Sequence, residues 1–365
     1  MVGVLRTFMS RFARFGQVVR AVAATGICAV AFVCAPKPGS TQPTHAIEKA
    51  PASTSQTACG GVNMLNELAV AEPDVYRHIR NAANSTSNAN AALWKVERPG
   101  RPASYLLGTI HMTDPRVTAF SPKLKSVIAE VETIALEVAD LSAAATNAAI
   151  TKKSRLVIYA DGHSLHDHLS QKEFDKVKKT LNSAGLPGNK AGMFRPWVVS
   201  MILSISTCER QQVQAGQQVL DMKLANAALK RGITVVGLET IESQLSAMAA
   251  IPDDQQIAML RASLKFADRA NDTNETLLQL YASRDMGAAW PFHLALAKKA
   301  GIDANAFKQF QASIVYERNE KMHDAALPLL EKGRALVAVG ALHLIGDRGL
   351  VNLLRKSGYT LTPIE

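Results

Sequence analysis

The sequence predicts an α/β fold, with a mostly parallel or mixed central sheet and a large helical insertion. Short runs rich in Val, Leu and Ile occur near both ends of the chain, and such runs are typical of buried strands. Helical patterns alternate with these runs at both ends, whereas residues 241–300 are helical in pattern throughout. The α/β core is therefore expected at about 92–140, 233–240 and 335–365, and the helical insertions at about 141–230 and 241–330.

The N-terminal segment has the pattern of a secretory signal. Four arginines precede the uncharged apolar stretch Ala21–Ala35. This stretch is short for a bilayer span, which needs roughly 20 residues. The alternative is an uncleaved membrane anchor, because Gln17 to Val19 could extend the stretch. We expect export to the periplasm or the extracellular space, with a transient membrane contact through the signal.

The domain organisation follows from composition. Residues 36–58 are rich in Pro, Ser, Thr and Ala without a period, which is typical of a flexible linker. The signal and the start of the linker are expected at 1–46, the rest of the linker at 47–58, and one domain at 59–365.

The charge of the chain argues against a nucleic-acid partner. The formal net charge is +10, but residues 1–46 contain five basic residues and no acid, so the remainder carries only +5. No cluster of Lys and Arg is interleaved with aromatic residues, as nucleic-acid binding would favour. We expect a peptide or a small-molecule substrate instead.

The chain contains four cysteines. Cys28 and Cys34 lie in the signal and should leave with it, so Cys59 and Cys208 remain in an oxidising compartment. This pair predicts one disulfide, and the alternative is two free buried thiols.

The elements before the middle of the chain are predicted from periodicity and turn residues. Asn63–Ala71 and Asp74–Ala83 have the pattern of short helices. Ala92–Val96 and Ser104–Ile110, separated by a Pro-Gly turn, predict a β-hairpin. The later elements are a helix starting at Ser121-Pro122, a strand at Thr133–Leu136, helices at 171–184, 197–207 and 219–229, and a strand at 233–238.

The C-terminal part returns from helices to strands. Thr273 is a predicted helix N-cap within the helical stretch, and a last long helix is expected at about 304–330. A strand at Ala335–Val339, a helix at Gly349–Lys356 and a closing strand at Tyr359–Pro363 complete the prediction.

One short motif occurs twice at predicted strand ends. Gly108-Thr109-Ile110-His111 closes one apolar run, and Gly340-Ala341-Leu342-His343 closes another. An Arg follows each His by five residues, at Arg116 and Arg348. Open α/β sheets place their ligands beyond the carboxyl ends of the strands, which is where both His should lie.

Two acids end two further strand runs, Glu137 and Glu239. Two imidazoles and one or two carboxylates at one sheet edge suit a divalent metal such as Zn, Mn or Co, with a position left open for water. Such a metal lowers the pKa of its bound water and polarises a carbonyl, and the second Glu could act as general base. Arg116 and Arg348 could hold a substrate carboxylate.

Each of these residues also has a structural interpretation. A His at a strand end is often hydrogen-bonded without binding a ligand, and Glu239 could simply favour a helix N-terminus. Glu137 could pair with a structural Arg. Arg116 and Arg348 could serve as fork donors to loop carbonyls.

Two other polar clusters occur in the sequence. His163, His166 and His168 lie close together in sequence with Asp161 and Asp167, but no strand supports them, so we interpret them as solvated. The segment Glu317-Arg318-Asn319 on a late helix has the pattern of an ordinary exposed face.

From about Cys59 to the C-terminus the chain closely resembles the bacterial TraB/GumN family, which is related to animal Tiki proteins. The resemblance rests on the two G-x-x-H motifs in order with the intervening polar segments. These segments are Asp114-Pro115-Arg116, Leu136-Glu137, Gly185-Leu186-Pro187, Pro196-Trp197, Gly237-Leu238-Glu239-Thr240, Arg318-Asn319 and Gly358-Tyr359-Thr360. The histidines at 163, 166 and 168 are not part of this pattern.

The resemblance implies a fold similar to that of erythromycin-esterase-like and ChaN-like haem-binding proteins, and an activity like that of Tiki metal-dependent proteases. It implies that His111 and His343 are metal ligands or catalytic groups, that Glu137 joins them as a ligand, and that Glu137, Glu239, Arg318 and Asn319 are catalytic. The expected function is a metal-dependent hydrolase of the cell envelope that cleaves an amide or ester bond. The alternative is a non-catalytic binding protein that sequesters a peptide, a small signal or haem.

Overall fold

The computed structural model describes residues 59–140 and 142–365. The predicted signal and linker, with Cys28 and Cys34, lie outside these residues. Among the helices in the described ranges, none combines the length and the apolar character needed to cross a bilayer.

The described strands form one mixed sheet with the order β4-β3-β5-β2-β1-β6. They are β1 (Leu93–Glu97), β2 (Ser104–Thr109), β3 (Thr133–Leu136), β4 (Thr234–Gly237), β5 (Ala335–Gly340) and β6 (Thr360–Pro363). Strands β4, β3, β5 and β2 run parallel to one another, whereas β1 is antiparallel to both β2 and β6. The predicted α/β fold with a mixed sheet and the predicted hairpin are therefore confirmed.

The helices up to β4 cover the N-terminal part and the first insertion. They are α1 (Met64–Ala71), α2 (Pro73–Ser85), α3 (Pro115–Thr118), α4 (Pro122–Glu130), α5 (Ala143–Lys152), α6 (Gln171–Ser183), α7 (Pro196–Ser204), α8 (Thr207–Gln214) and α9 (Leu220–Lys230). After β4 come α10 (Ile241–Ala249), α11 (Asp253–Phe266), α12 (Ala270–Ala282), α13 (Ala289–Lys299), α14 (Ala304–Gln311), α15 (Glu317–Lys332) and α16 (Leu350–Lys356).

The central strands are apolar on both faces because helices cover both faces. On one face Leu106, Val337 and Val339 pack against α15 and α16. On the other face Leu107 and Ala338 pack against α4 and α9. The alternation of neighbouring residues between the two faces is the period of a β-strand.

The register aligns the ends of the parallel strands. Thr109 of β2 pairs with Gly340 of β5, and Leu136 of β3 pairs with Ala338 of β5 and with Gly237 of β4. The residues that follow β2, β3, β4 and β5 therefore emerge at the same edge of the sheet. This edge positions the candidate site.

Three predicted helices differ from those observed. The apolar helix expected at 197–207 ends at Ser204, because Ser206 caps a new helix, α8, by accepting a hydrogen bond from the Glu209 amide. The predicted N-cap Thr273 was wrong, since this residue lies inside α12 and its hydroxyl donates to the Arg269 carbonyl. The last long helix is present, but a π-helical turn at Ala312–Tyr316 joins α14 to α15.

The predicted disulfide is present in the structure between Cys59 and Cys208, which are 149 residues apart in sequence. It links the start of the described chain to α8. The chain-entropy model values a loop of this size at roughly 5 kcal/mol, and measured gains are typically about 2–4 kcal/mol.

Candidate functional site at the carboxyl edge of the sheet

His111 is held by an aspartate that arrives from α9. Its Nδ1 lies 3.2 Å from Oδ2 of Asp221, and the other oxygen of Asp221 accepts a hydrogen bond from the Thr109 hydroxyl at 2.9 Å. The Asp221 side chain is buried, at 4% exposure, whereas the His111 ring is 45% exposed and lines a cavity. Since a carboxylate can only accept, Nδ1 carries a proton and Nε2 is left facing the cavity.

His343 is held in the same way by an amide. It ends a 3₁₀ turn, Ala341–His343, directly after β5, and its Nδ1 lies 2.7 Å from Oδ1 of Asn319 on α15. The Asn319 amide nitrogen donates to the Arg348 carbonyl at 2.8 Å, which fixes the orientation of this buried side chain. The free Nε2 of His343 lies 3.8 Å from Oε1 of Glu137.

Glu137 follows β3 and connects the strand ends. Its Oε1 accepts a hydrogen bond from the Gly340 amide at 2.8 Å. Its Oε2 accepts from the Arg318 guanidinium at 2.6 Å and from the Gln244 amide at 3.1 Å. Both oxygens are therefore fixed, and Oε1 is turned toward His343.

Glu239 does not contact either histidine. Its side chain is 1% exposed and accepts three hydrogen bonds from Arg318: from Nε and Nη2 at Oε2, at 2.9 and 2.8 Å, and a longer one from Nε at Oε1, at 3.3 Å. Arg318 thus bridges Glu239 and Glu137. This position suits a residue that holds Arg318, rather than the general base considered from the sequence.

The two motif glycines are required for different reasons. A Cβ on Gly340 would lie 3.3 Å from Oε1 of Glu137, 3.5 Å from Cδ2 of His343 and 4.0 Å from Nε2 of His111, so these three groups surround one point. A Cβ on Gly108 would lie 3.0 Å from the Cα of Ala341. Gly340 leaves room inside the site, and Gly108 lets the 3₁₀ turn pack against β2.

The buried charges set the protonation of the site. Burial opposes protonation of His111, but the Asp221 carboxylate outweighs it and raises the pKa of His111 to about 9. Burial lowers the pKa of His343 to about 4, with Glu137 acting in the opposite direction. Burial would raise the pKa of Glu137, but Arg318 and the two histidines hold it well below its usual range. The surroundings of His111 thus attract positive charge, while His343 is kept neutral.

The residues fit a divalent cation by donor type and by charge. Each Nδ1 is anchored and each Nε2 has no protein partner, so that loss of the His111 Nε2 proton would leave both nitrogens free, as metal-binding histidines are usually held. The site contains three carboxylates, Asp221, Glu137 and Glu239, and one guanidinium, Arg318. When both histidines are neutral, the formal charge of the site is therefore −2. Among the described residues, however, no three His, Cys, Asp or Glu side chains are gathered closely enough to hold a metal ion in this conformation.

The structure thus brings together six of the residues selected from the sequence: His111, Glu137, Glu239, Arg318, Asn319 and His343. It also adds Asp221 and Gln244, which sequence reasoning missed. Asp221 was detectable in principle as an acid on the buried stripe formed by Leu220, Leu224 and Ala228. No comparable signal marks Gln244.

Arg116 and Arg348 do not join this cluster. The Arg116 guanidinium makes two hydrogen bonds to Asp114 and two to Glu275, all between 2.8 and 3.0 Å. These contacts favour a structural role for Arg116. Its partners are carboxylates, whereas the structural interpretation of the sequence expected loop carbonyls. Arg348 pairs with Glu320 and lies over the Tyr316 ring, so its contribution to the site is the carbonyl that holds Asn319. Binding of a substrate carboxylate by either Arg stays a prediction.

The rival histidine cluster lies in a loop and in the 3₁₀ turn Leu165–His168. His166 packs edge-on against Phe174 and contacts Gln171, while His163 and His168 lie beside Tyr159. These contacts are those of a surface loop.

The model of the TraB/PrgY/gumN family matches residues 92–363, which include both G-x-x-H motifs. The chain belongs to the TraB/PrgY/gumN family.

Similar proteins include the metalloprotease TIKI homolog of Nematostella vectensis, 25% identical over 327 residues, covering 76% of this chain and 68% of that protein. Metalloprotease TIKI1 of Homo sapiens is 26% identical over 320 residues, covering 75% of this chain and 62% of that protein. The uncharacterized protein YbaP of Shigella flexneri is 25% identical over 261 residues, covering 71% and 90%. No solved structure matches the chain.

In this member of the TraB/PrgY/gumN family a cavity of about 610 Å³ adjoins the site. His111 and Glu137 lie in its wall, together with Ile110, Leu136 and Val138 from the strand ends. The remaining wall comes from helices of both insertions. The insertions therefore enclose the space in front of the sheet edge, in the size range typical of small-molecule sites.

Proposed function

We propose that the protein is a metal-dependent hydrolase that cleaves an amide or ester bond at the carboxyl edge of its sheet. The observation that carries the proposal is the pair of anchored histidines. Asp221 and Asn319 each fix one Nδ1, so that both Nε2 atoms are available beside Glu137. Relatives named as metalloproteases support the same reaction class at about 25% identity.

In this proposal Nε2 of His111, Nε2 of His343 and Oε1 of Glu137 hold the cation, which would be Zn, Mn or Co. When bound, a divalent metal polarises the substrate carbonyl and lowers the pKa of a water molecule. Asp221 and Asn319 orient the two imidazoles. Arg318, held by Glu239, fixes Oε2 of Glu137 and leaves Oε1 for the site.

The other contribution of the chain is to exclude water. Leu136, Val138 and Ile110 surround the polar groups, and the cavity wall is mostly apolar beyond them. Electrostatic interactions with a substrate carbonyl are stronger in such a site than in water. A non-catalytic binding protein is the second candidate, and the apolar cavity favours it because such a cavity needs no reaction to hold a ligand.

Metal content and activity separate the two candidates. We expect purified protein to contain close to one equivalent of Zn, Mn or Co by mass spectrometry, and to lose both metal and hydrolysis of a peptide and ester panel after chelation. His111→Ala and His343→Ala should each abolish metal binding and activity, and the double variant should add little, because such groups act as a unit. The control is His78→Ala, on the exposed face of α2.

Two results would contradict the hydrolase proposal. One is metal-free protein that hydrolyses the panel at the same rate. The other is metal-loaded protein that binds ligands and hydrolyses none of the panel, which would favour the binding protein.

Two finer expectations are also proposals. The first is export, which mass spectrometry of envelope protein would test by finding an N-terminus between about residues 32 and 52. Intact Met1 in cytosolic protein would contradict it. The second is a fold similar to that of erythromycin-esterase-like and ChaN-like proteins, which superposition on an experimental structure would test.

A further inference from the structure

We infer that the cavity beside His111 and Glu137 binds a hydrocarbon chain, so that the substrate is a fatty acyl amide or ester. The inference rests on the proposed hydrolase function and names the substrate class for the same site. The carbonyl of the acyl group would lie at the sheet edge, and its chain would extend between the helical insertions.

The walls of the cavity are apolar and adaptable. Met201, Met248 and Met259 line it from α7, α10 and α11, and unbranched thioether side chains adjust to ligands of irregular shape. In the same wall Trp290 lies nearly parallel to Phe310, with ring centroids 6.1 Å apart, and its ring centroid lies 4.8 Å from that of Phe307. This lining suits a flexible aliphatic ligand.

The polar groups of the wall are mostly occupied by the protein itself. The hydroxyls of Ser200, Ser204 and Ser263 donate to carbonyls of their own helices at 2.7 to 3.1 Å. The Gln256 amide donates to the Ile251 carbonyl at 2.6 Å and its oxygen faces the Trp197 amide. These groups offer little to a ligand.

The scarcity of free polar groups in the wall favours a hydrocarbon ligand over a peptide. A peptide segment would bring one donor and one acceptor per residue into the cavity, and each unpaired group costs roughly tenfold in affinity. In the described part of the wall, the side-chain polar atoms without a protein partner are few: the Asn274 amide, Oε1 of Gln244, Nε1 of Trp290, Nε2 of His293 and, at the site itself, Nε2 of His111. A hydrocarbon chain needs no partner.

The charges of the wall define the orientation of the ligand. The described lining contains no Lys or Arg, and its acids are Glu137, Glu209 and Asp221, of which Glu137 and Asp221 hold the site. Burial lowers the pKa of His293, which opposes a positive charge on this ring. A polar head group is therefore expected at the His111 end only.

The reaction is hydrolysis. Water supplies the oxygen that forms a new bond to the acyl carbon, and the bond from that carbon to the leaving nitrogen or oxygen breaks. One proton of the water goes to the leaving amine or alcohol, and the other is released from the new carboxylic acid to solvent or to the amine, so that the products are a fatty carboxylate and the amine or alcohol. No oxidant or reductant is required.

Calorimetric titration with N-acetyl-, N-octanoyl- and N-dodecanoylglycine tests the cavity without requiring turnover. We expect affinity to rise about two- to fourfold for each methylene that becomes buried. Ala262→Phe, which places a ring in the cavity, should remove this dependence. Ala148→Phe, on the exposed face of α5, should retain it.

A second variant keeps the test valid if Ala262→Phe does not fold. Met259→Ala enlarges the cavity and should shift the preference toward longer acyl chains. Equal affinity for all three acylglycines, or tighter binding of an apolar tripeptide amide than of dodecanoylglycine, would overturn the acyl-chain inference.

Hydrolysis of N-acyl p-nitroanilides of the same chain lengths separates this inference from the proposed function. Rates that rise with chain length support both. Hydrolysis of peptides without any preference for acyl length would leave the hydrolase intact and reject the acyl substrate. Chain-length-dependent binding without hydrolysis of any substrate would reject the hydrolase and leave only a lipid-binding cavity.

Discussion

The Nδ1 atom of His343 lies 2.7 Å from Oδ1 of Asn319, which is 24 residues earlier in the sequence and on a different element. This contact joins the end of β5 to α15. On the same helix, Arg318 holds Glu137 and Glu239. Two neighbouring residues of α15 therefore position the site: Arg318 holds the two carboxylates, and Asn319 holds the histidine. This explains why a polar pair on this helix belongs to the site.

Replacing Asn319 should test whether its contact with His343 supports both stability and metal binding. Asn319→Leu leaves Nδ1 of His343 and the Arg348 carbonyl without partners in a buried position, so we expect a loss of about 2–4 kcal/mol in the free energy of unfolding. Metal affinity or activity should fall about 10- to 100-fold.

The conservative variant Asn319→Asp keeps the acceptor for His343 and should recover part of the activity. Asn226→Leu, which removes a half-buried contact with Gln218 away from the site, is the control. Urea denaturation and metal titration measure the two effects. Unchanged metal affinity in Asn319→Leu would show that this contact does not orient His343.

Gly340→Ala should affect function and leave stability almost unchanged. The backbone at Gly340, with φ −52° and ψ 137°, accommodates alanine, but the new Cβ would lie 3.3 Å from Oε1 of Glu137. We expect activity to fall about 10- to 100-fold, because small displacements of reacting groups are costly. Thermal unfolding and kcat/KM measure the two quantities. Gly60→Ala, where the Cβ meets open space, is the control, and full activity in Gly340→Ala would contradict the site geometry.

Much of the fold could be predicted because its signals are local. The strand runs Ser104–Thr109, Thr133–Leu136 and Ala335–Gly340 are short, apolar and bounded by polar residues, so their type follows from pattern and length. The convergence of His111, Glu137 and His343 followed from the rule that parallel strands end at a common edge. The strand order could not be predicted, because it depends on pairings between segments distant in sequence.

The partners of the site residues were harder to predict. Asp221 reaches His111 from a helix 110 positions later in sequence, and an acid in a first helical turn is ordinarily explained by the helix dipole. Arg116 shows the same difficulty from the other side. Its distance from His111 matches that of Arg348 from His343, but nothing local in the sequence indicated that Asp114 and Glu275 take the hydrogen bonds of its guanidinium in the described structure.

Loss of the disulfide should loosen the loop that follows His111. Cys208 precedes Glu209, whose carboxylate accepts a hydrogen bond from the Thr113 amide at 2.7 Å. We expect Cys59→Ser/Cys208→Ser to lose about 2–4 kcal/mol in the free energy of unfolding. Hydrogen exchange at the Thr113 amide should accelerate more than exchange in β5. Equal acceleration in both places would show that the bridge acts only on global stability.

The cluster of Asp114, Arg116 and Glu275 predicts a specific dependence of stability on pH. Burial would raise the pKa of Asp114, but Arg116 lowers it, and hydrogen bonds from Arg116 also lower the pKa of Glu275. The unfolded values are about 3.9 for Asp and 4.3 for Glu. Because the folded values are lower, both groups stabilise the fold above these pH values, and this stabilisation is lost as pH falls through the folded values. Stability of the natural protein should therefore decline below about pH 4.

In Arg116→Met, ionised Asp114 and Glu275 should destabilise the fold instead of stabilising it. The carboxylates of Asp114 and Glu275, 7% and 9% exposed, would then lack their cation, and burial would raise both pKa values above the unfolded ones. The free energy of unfolding at pH 7 should fall by about 2 kcal/mol, reduced from the value for a fully buried pair because the Arg116 side chain is 44% exposed. As pH falls toward 4 the difference between Arg116→Met and the natural protein should shrink, since protonation relieves the unpaired charges. Urea denaturation at several pH values measures this, with the exposed pair variant Arg77→Met as control. A difference that grows as pH falls would show that Arg116 stabilises the fold by packing rather than by charge.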